Sequence, residues 1–287
     1  MLVQTIRRAV PDRDAFLEAV GMRHTSFRVT TMRTYGLLTD WGMAAAVLPA
    51  IARMTRTQLV LVLAGHGYFG NVELRAGDLV SSDQRLCEPE GFGGSPCETI
   101  HIEWDDDSCF GRVHTGPFAV ARMHTRDVGA LRALLARVVR TPAARWLREL
   151  GACLRALGLQ LDTDFGESQA SRLSQLYRLV GEAGSTLDAH PTLTDLADSL
   201  GVTVRQARRD IRQLIHEYRQ PYEGWRDYVA TMRMEWTTQL LSVPGLRLSD
   251  IARIAGFRSD AALAHAFSMR DAMTPAAMGR EIRARLG

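Results

Sequence analysis

The sequence predicts a multidomain α+β protein, in which a β-rich N-terminal part is followed by two helices and by an all-α C-terminal part. Three observations predict this. Short apolar or β-branched runs separated by glycines fill the first 125 residues. Apolar residues recur at helical spacing from Thr125 onward. Beyond residue 168, a pattern of seven matching positions, typical of a helix-turn-helix, occurs twice.

The composition is that of a folded globular protein. The chain has 287 residues, of which 46% are hydrophobic and 23% are charged, whereas disordered chains have fewer apolar residues and more net charge. No apolar run approaches the roughly 20 residues that a membrane helix needs. The N-terminus has no basic region followed by an apolar run and a small-residue cleavage site. We therefore expect a cytoplasmic protein without membrane contact.

Three segments of the N-terminal part have the pattern of strands. Phe27–Tyr35 is rich in β-branched residues, Leu59–Leu63 is an unbroken apolar run, and Thr99–Trp104 alternates apolar and polar residues. Glycines predict tight turns at Gly65, Gly67, Gly70, Gly77, Gly91, Gly93 and Gly94. Short strands with glycine turns are typical of a sandwich or a barrel.

Two amphipathic helices follow. Asp127 is placed to cap the first helix, and Pro142 to open the second. Their apolar residues are Val128, Leu131, Leu134, Leu135, Val138, Trp146, Leu147, Leu150, Leu154 and Leu157. Such a stripe fits either an internal core or the seam of a dimer. Gly158–Glu167 has the pattern of a linker, so the predicted units are residues 1–125, 126–167 and 168–287.

The C-terminal part contains an internal repeat. The first copy consists of Leu193, Thr194, Asp195, Leu196, Ala197, Gly201 and Val202. The second copy, 55 residues further on, consists of Leu248, Ser249, Asp250, Ile251, Ala252, Gly256 and Phe257. Each copy has a hydroxyl residue able to cap a helix, an alanine where two helices touch, and a glycine at a sharp turn. Two such copies favour a pair of helix-turn-helix motifs.

The helix after the first turn carries concentrated positive charge. The C-terminal part holds the whole net surplus of +3, and four arginines fall between Thr203 and Gln213 against the single acid Asp210. With Thr203 as N-cap, helical spacing places these residues on the inner side: Val204, Ala207, Ile211 and Leu214. The outward residues are then Arg205, Gln206, Arg209, Arg212 and Gln213, with Arg208 at the margin. Arginine reads guanine and glutamine reads adenine, so this face suits the major groove of DNA, although each arginine alone fits a phosphate equally well.

The second copy is chemically poorer. Ser259 is placed to cap its recognition helix, and Leu263, Ala266 and Phe267 fall on the inner side. Most outward residues are alanines, which read little beyond a thymine methyl group. The polar side chains left to contact DNA are Arg258, Ser259 and His265. We therefore expect the first motif to choose the sequence and the second mostly to fix the register.

Residues from about 168 to 285 resemble the DNA-binding domain of AraC/XylS-type transcription regulators. The landmarks of that family are Leu196-Ala197 with Gly201, Arg233-Met234-Glu235 with Leu240-Leu241, Ile251-Ala252, Gly256-Phe257, Ala266-Phe267 and Thr274-Pro275. The resemblance implies two helix-turn-helix units joined by one helix, with recognition helices in major-groove segments about 34 Å apart. It also implies base contacts from positions matching Arg205, Arg208 and Arg209. Asp210 departs from the pattern, because an apolar residue is common there.

The stretch Glu73-Leu74-Arg75-Ala76-Gly77-Asp78-Leu79-Val80 is similar to a strand, turn and strand of cupins. That resemblance implies a cupin-like β-barrel that senses a small effector. The H-x-H pair that binds metal in catalytic cupins is missing, so we expect no metal and no other cofactor. Four aromatic residues are candidates either for the effector pocket or for the core: Trp41, Tyr68, Phe69 and Trp104.

Together these features predict a DNA-binding transcription regulator rather than an enzyme. Its expected partners are double-stranded DNA and a small-molecule effector, with a second copy as a homodimer and RNA polymerase as a further candidate. Two other classes stay open. One is a cupin-like metalloenzyme fused to a DNA-targeting domain. The other is a redox or alkylation sensor using Cys87, Cys97, Cys109 or Cys153, although their loose spacing fits idle thiols.

Overall fold

The computed structural model describes residues 1–25, 27–40, 57–83, 90–104, 118–159, 171–220, 222–269 and 273–286. Several residues of the sequence predictions lie outside these ranges. They are Trp41, Cys87, Cys109 and most of the predicted linker.

The N-terminal part forms one antiparallel sheet. Its strands are β1 (Leu2–Ala9), β2 (Phe16–Arg23), β3 (Phe27–Tyr35), β4 (Thr39–Asp40), β5 (Thr57–Phe69), β6 (Val72–Arg75), β7 (Asp78–Asp83), β8 (Glu90–Trp104) and β9 (Phe118–Arg122). The order across the sheet is β1-β2-β3-β8-β5-β7-β9, while β4 pairs with β8 and β6 with β5. Within the described ranges this sheet runs open from β1 to β9, so the predicted closed barrel is not confirmed.

The three predicted strand segments all lie in strands, and burial explains their patterns. Leu59, Leu61 and Leu63 face one side of the sheet, whereas Val60 and Val62 face the other, and all five are buried. An apolar run without alternation is expected where both faces of a strand are covered.

The rest of the described chain is helical. The helices are α1 (Thr125–Leu135), α2 (Ala143–Ala156), α3 (Arg172–Ser185), α4 (Leu193–Leu200), α5 (Val204–Glu217), α6 (Trp225–Leu240), α7 (Leu248–Ile254), α8 (Asp260–Ser268) and α9 (Pro275–Leu286), with a short 3-10 helix at Leu187–Ala189. Helix α6 lies between the two copies of the repeat. Asp127 lies within α1 and Pro142 is the N-cap of α2, so the first capping prediction was wrong.

Helices α1 and α2 cover one face of the sheet. Their leucines pack with Ile100, Ile102 and Trp104 in a single core cluster. The indole nitrogen of Trp146 donates to the Leu134 carbonyl oxygen at 2.9 Å and joins the two helices. The buried leucines of the apolar stripe are thus part of the core of this chain.

The C-terminal helices cover the opposite face. A second core cluster joins sheet residues such as Met32 and Val62 with Leu176, Met234 and Phe267. Gly181 allows α3 to lie close to β1, because a Cβ there would come within 3.0 Å of Gln4 and Thr5 atoms. The sheet is therefore the middle layer between α1–α2 and the C-terminal helices.

Candidate nucleic-acid interface and interdomain cavity

The two copies of the repeat have the same local geometry. In the first, α4 ends at Gly201 with φ +64°, and the Val202 amide donates to the Ala197 carbonyl at 3.0 Å. In the second, Gly256 has φ +80°, and the Phe257 amide donates to the Ala252 carbonyl at 2.8 Å. Each bond repeats at the 55-residue offset of the sequence. The repeat is therefore structural, with α4–α5 and α7–α8 as two helix-turn-helix units.

Capping differs from the expectation at the first helix of each unit. Thr192, not Thr194, caps α4, and it forms a reciprocal pair of hydrogen bonds with Asp195. Helix α7 begins after Arg247, which makes no side-chain cap, so Ser249 lies inside the helix. Both recognition helices are capped as predicted, by Thr203 on the Gln206 amide and Ser259 on the Ala262 amide.

The outward face of α5 presents a row of arginines. All four are exposed: Arg205, Arg208, Arg209 and Arg212. The inner side is formed by Ala207, Ile211 and Leu214, which are buried. Val204 was predicted on that side, but it is the first residue of α5 and is 36% exposed.

A buried acid occupies the inner side of α5 instead. Asp210 is 1% exposed and forms an ion pair with Arg172 of α3 at 2.8 Å. The Gln206 amide nitrogen also donates to Asp210, at 2.7 Å. The side chain of Gln206, predicted to face DNA, is therefore held along its own helix. The resemblance to the AraC/XylS type marked Asp210 as unusual, but the sequence did not reveal its partners.

The second recognition helix offers fewer polar groups. Arg258, Ser259 and His265 are all exposed, as predicted, although the Ser259 hydroxyl is used as the helix cap. Leu263 and Phe267 are buried on the inner side. Burial lowers the pKa of Arg233, and the charge of Arg258 lowers it further. The arginine of this unit, Arg258, thus lies at the turn before α8 rather than along the helix.

Hydrogen bonds join the sheet to the C-terminal helices at both ends. Arg8 of β1 is buried, donates to the Gly184 carbonyl at 2.9 Å, and lies over the ring of Trp236. The Leu38 amide donates to the Ser242 hydroxyl at 3.0 Å. His66 Nε2 lies 3.0 Å from the Leu286 carbonyl oxygen. The C-terminal helices and the sheet are thus in direct contact within one chain.

A cavity of about 200 Å³ lies between the sheet and these helices. Strands β1, β2, β3, β5 and β8 form its floor, and α3, α6 and the segment after α5 form its roof. Its charged and titratable lining residues are Arg8, Arg28, Glu90, His101, Glu103, Tyr177, Tyr222, Tyr228 and Glu235. Such a pocket, where two parts of a chain meet, is where small ligands commonly bind.

Burial controls the ionisation of these groups. Burial, reinforced by the charge of Glu103, raises the pKa of Glu90 to about 8. Burial also lowers the pKa of His101 to about 4, so this ring, 2.9 Å from the Thr99 hydroxyl, is neutral at pH 7. The pKa of Glu235 is raised by burial, which the charges of Arg8 and Arg28 oppose.

Of the aromatic residues suggested for an effector pocket, the three that the structure describes, Tyr68, Phe69 and Trp104, do not line this cavity. Phe69 is 0% and Trp104 is 2% exposed, and they belong to the two core clusters. Tyr68 lies near Arg285 of α9, and burial raises its pKa. Sequence reasoning missed the cavity residues. Their one signal was the alternation of Gln4, Ile6 and Arg8 on β1, which puts polar groups on a covered face.

The remaining chemistry-bearing residues form no cluster. Among the residues that the structure describes, no three His, Cys, Asp or Glu side chains are grouped to hold a metal ion. Burial raises the pKa of the Cys97 thiol to about 12 and also raises that of Cys153, which disfavours the reactive thiolate. No helix in the described ranges is both long and apolar enough to cross a membrane.

Comparison with known proteins gives weak likenesses only. No family model matches the sequence, and no curated protein does. ToxT from Vibrio cholerae is similar at a TM-score of 0.39 and 8% identity, covering 91% of this chain and 100% of that one. The AraC-like transcriptional activator CuxR is similar at a TM-score of 0.33 and 12% identity, covering 79% of this chain and 83% of that one.

A structure of ToxT from Vibrio cholerae bound to an unsaturated fatty acid is similar at a TM-score of 0.34 and 10% identity, covering 90% of this chain and 96% of that one. The fatty acid belongs to that protein. Such low TM-scores carry no argument about fold or function.

Proposed function

We propose that this protein is a sequence-specific DNA-binding transcription regulator of the AraC/XylS type, controlled by a small molecule that binds in the cavity. The observation that carries the proposal is the outward face of α5. Four arginines are exposed along one helix whose opposite side is packed, in a unit that follows a capped helix and a glycine turn. A basic helix of this kind is what the major groove accepts.

The four arginines divide between two tasks. Guanine offers O6 and N7 to a bidentate guanidinium, and this is the commonest specific contact of arginine. At least half of protein–DNA hydrogen bonds go to the backbone, however. Arg205 and Arg209, one turn apart on the exposed face, are proposed to read bases, and Arg208 and Arg212 to hold phosphates. Gln206, bound to Asp210, is proposed to support the helix rather than read a base.

The second unit is proposed to fix register. Arg258 stands at the turn before α8 and supplies the phosphate contact, and His265 is the one exposed titratable side chain in the middle of that helix. The alanines around it leave room for the DNA backbone but offer no side-chain hydrogen bonds to base edges. Specificity therefore comes chiefly from α5.

Effector control is proposed to act through the shared cavity. The roof of the cavity includes Gln220, Tyr222 and residues of α6, the helix that joins the two DNA-binding units. A ligand there contacts both the sheet and the segment that follows α5. It can change DNA affinity only by preferring one arrangement of these parts over another.

We also propose a homodimer on DNA, with RNA polymerase as a further partner. Because the leucines of α1 and α2 are packed against the sheet, the dimer contact lies elsewhere than in that stripe. Two copies of the recognised sequence in a bound site, at a fixed spacing, would report such a dimer.

The test is selection of the full-length protein on a random double-stranded DNA pool, compared with an Arg205→Ala/Arg209→Ala variant. The matched control is Arg145→Ala/Arg148→Ala, which removes the same charge from the exposed face of α2. We expect an enriched motif with wild type and control but not with the α5 variant. Equal loss in both variants, or no motif at any salt concentration, would overturn the proposal.

A further inference from the structure

The cavity is lined by buried polar atoms without hydrogen-bond partners. Gln58 and Gln239 are 3% and 2% exposed, yet Gln58 Nε2 and Gln239 Oε1 have no partner among the residues described. The same holds for Gln4 Oε1, Glu90 Oε2 and Gln220 Nε2. Buried polar groups are nearly always hydrogen-bonded, so these atoms call for a polar occupant. As placed, Gln4 Oε1 and Gln239 Oε1 accept hydrogen bonds, and Glu90 Oε2 accepts one when its carboxyl group is ionised, so an occupant that offers donors fits these atoms.

Among the described charged residues that line the cavity, one carboxyl group has no positively charged partner. Arg28 lies 3.9 Å from Glu103. Burial lowers the pKa of Arg8, and the charge of Glu235 acts against this. Arg28 is therefore paired with Glu103, and Glu235 is the acid whose charge acts on Arg8, while His101 is neutral. Glu90 has no such partner among the described residues, and its carboxylate faces the charge of Glu103.

We propose that the cavity binds a small organic cation, a molecule with one protonated amine, whose ammonium group lies against Glu90. This inference rests on the proposed function only in taking the cavity as the effector site. A carboxylate ligand finds no surplus positive charge here, because a glutamate already acts on each arginine. An ammonium group instead donates to the unpaired oxygens of Glu90 and the glutamines.

Aromatic rings provide the second half of the site. Tyr177, Tyr222 and Tyr228 all line the cavity, and the rings of Tyr222 and Tyr228 meet edge to face at 5.0 Å. The faces of such rings attract cations and cover apolar carbon. An engineered cavity of about 150 Å³ holds benzene, so this one accommodates a ring with a short aminomethyl group.

The test uses three probes of one shape and different charge: benzylammonium, benzyl alcohol and benzoate. Isothermal titration calorimetry on the DNA-free protein measures the affinity of each. We expect saturable binding of benzylammonium, at least about tenfold weaker binding of benzyl alcohol, and no binding of benzoate. The Glu90→Gln variant should lose about tenfold in affinity for benzylammonium and keep that for benzyl alcohol. Glu73→Gln, on the exposed strand β6, is the matched control.

A measurement without any variant tests the same point. Because Glu90 is largely protonated at pH 7 when the cavity holds no cation, ammonium binding should release close to one proton. The binding enthalpies in buffers of different ionisation enthalpy report this number. Benzoate binding as tightly as benzylammonium, no proton release, or no saturable binding of the three probes would overturn the proposal. None of these measurements depends on DNA binding. Failure of the cation proposal is therefore seen by calorimetry, whereas failure of the proposed regulator role is seen in the DNA selection experiment.

Discussion

Arg23, at the end of β2, donates through Nε to the backbone carbonyl oxygen of Tyr218 at 2.8 Å, and Tyr218 is the C-cap residue of α5. Its Nη2 also donates to the Arg219 carbonyl at 3.0 Å. A cation at the last carbonyls of a helix offsets both their unpaired hydrogen bonds and the helix dipole. The sheet is therefore bonded directly to the end of the recognition helix.

Replacing Arg23 should loosen α5 without unfolding the sheet. We expect Arg23→Met to speed amide hydrogen exchange at residues 214–220 and to reduce stability by about 1–3 kcal/mol, the cost of lost bonds to a charged group. Arg7→Met is the control, since Arg7 is exposed and its side chain pairs with Glu18 within the sheet. Equal exchange in both variants would mean that the Arg23 bonds do not hold the helix.

Salt dependence should separate the arginines of α5. If Arg208 and Arg212 contact phosphate, Ala at either position should weaken binding to all sequences and reduce the slope of log affinity against log salt by about 1. If Arg205 and Arg209 read bases, Ala there should cost about 1–3 kcal/mol on the preferred site and relax one position. Fluorescence anisotropy on the selected site and a scrambled site measures both. A slope near zero for wild type would contradict contacts between these arginines and DNA phosphates.

The Arg172–Asp210 pair predicts an asymmetric mutational response. Asp210→Ala should lower the free energy of unfolding by about 1–2 kcal/mol, because it removes packing and a charged hydrogen bond while half-exposed Arg172 regains water. Asp210→Leu, which fills the same space with an apolar group, should be close to neutral. Urea denaturation measures both, and Asp198→Ala on the exposed face of α4 is the control. A loss in Asp210→Leu as large as that in Asp210→Ala would show that the pair itself stabilises the fold.

The helical half was predictable because helix signals are local. The 55-residue repeat, the Thr203 and Ser259 caps and the apolar spacing of α5 all depend on residues within one or two turns. The strands were found for the same reason, since Phe27–Tyr35 shows its β-branched character in sequence. What the sequence could not supply was the open sheet, because strand order depends on contacts far apart in the chain.

The cavity was not predictable for a related reason. Glu90, Arg28 and Glu235 come from three distant elements, and nothing in their local sequence differs from that of surface residues. Gln206 shows the same limit: its spacing placed it outward, and only the buried partner Asp210 turns its amide along the helix. A polar residue on a face that proves to be covered is recognisable only once the covering element is known.

The raised pKa of Glu90 predicts a pH dependence of stability. Because its pKa is about 8 in the folded chain and close to 4.3 when unfolded, protonation favours folding, and stability should fall as the pH rises from about 4.5 to 8. In Glu90→Gln this loss should disappear, which raises stability at pH 8.5, relative to wild type, by on the order of 3 kcal/mol. His101, with a lowered pKa, acts in the opposite direction at low pH in both proteins. Urea denaturation of both proteins at pH 5 and 8.5 measures the difference. The same change in the free energy of unfolding between the two pH values in wild type and in Glu90→Gln would contradict the prediction.

The two turn glycines should respond differently to the same substitution. Both have positive φ, 64° at Gly201 and 80° at Gly256, so alanine at either one costs about 1 kcal/mol of backbone strain. Space around them differs. A Cβ at Gly201 meets nothing within 4 Å, whereas a Cβ at Gly256 overlaps the Leu187 carbonyl.

Gly201→Ala should therefore lower stability by about 1 kcal/mol and Gly256→Ala by several times more, since the 3-10 helix at Leu187 must move. Thermal denaturation of both variants measures the difference, and Gly158→Ala, also at positive φ in open space, gives the strain alone. Because the Leu187 carbonyl lies against the second turn while the space around a Cβ at Gly201 is open, an equal loss at Gly201 and Gly256 would mean that the second turn is not fixed by this contact.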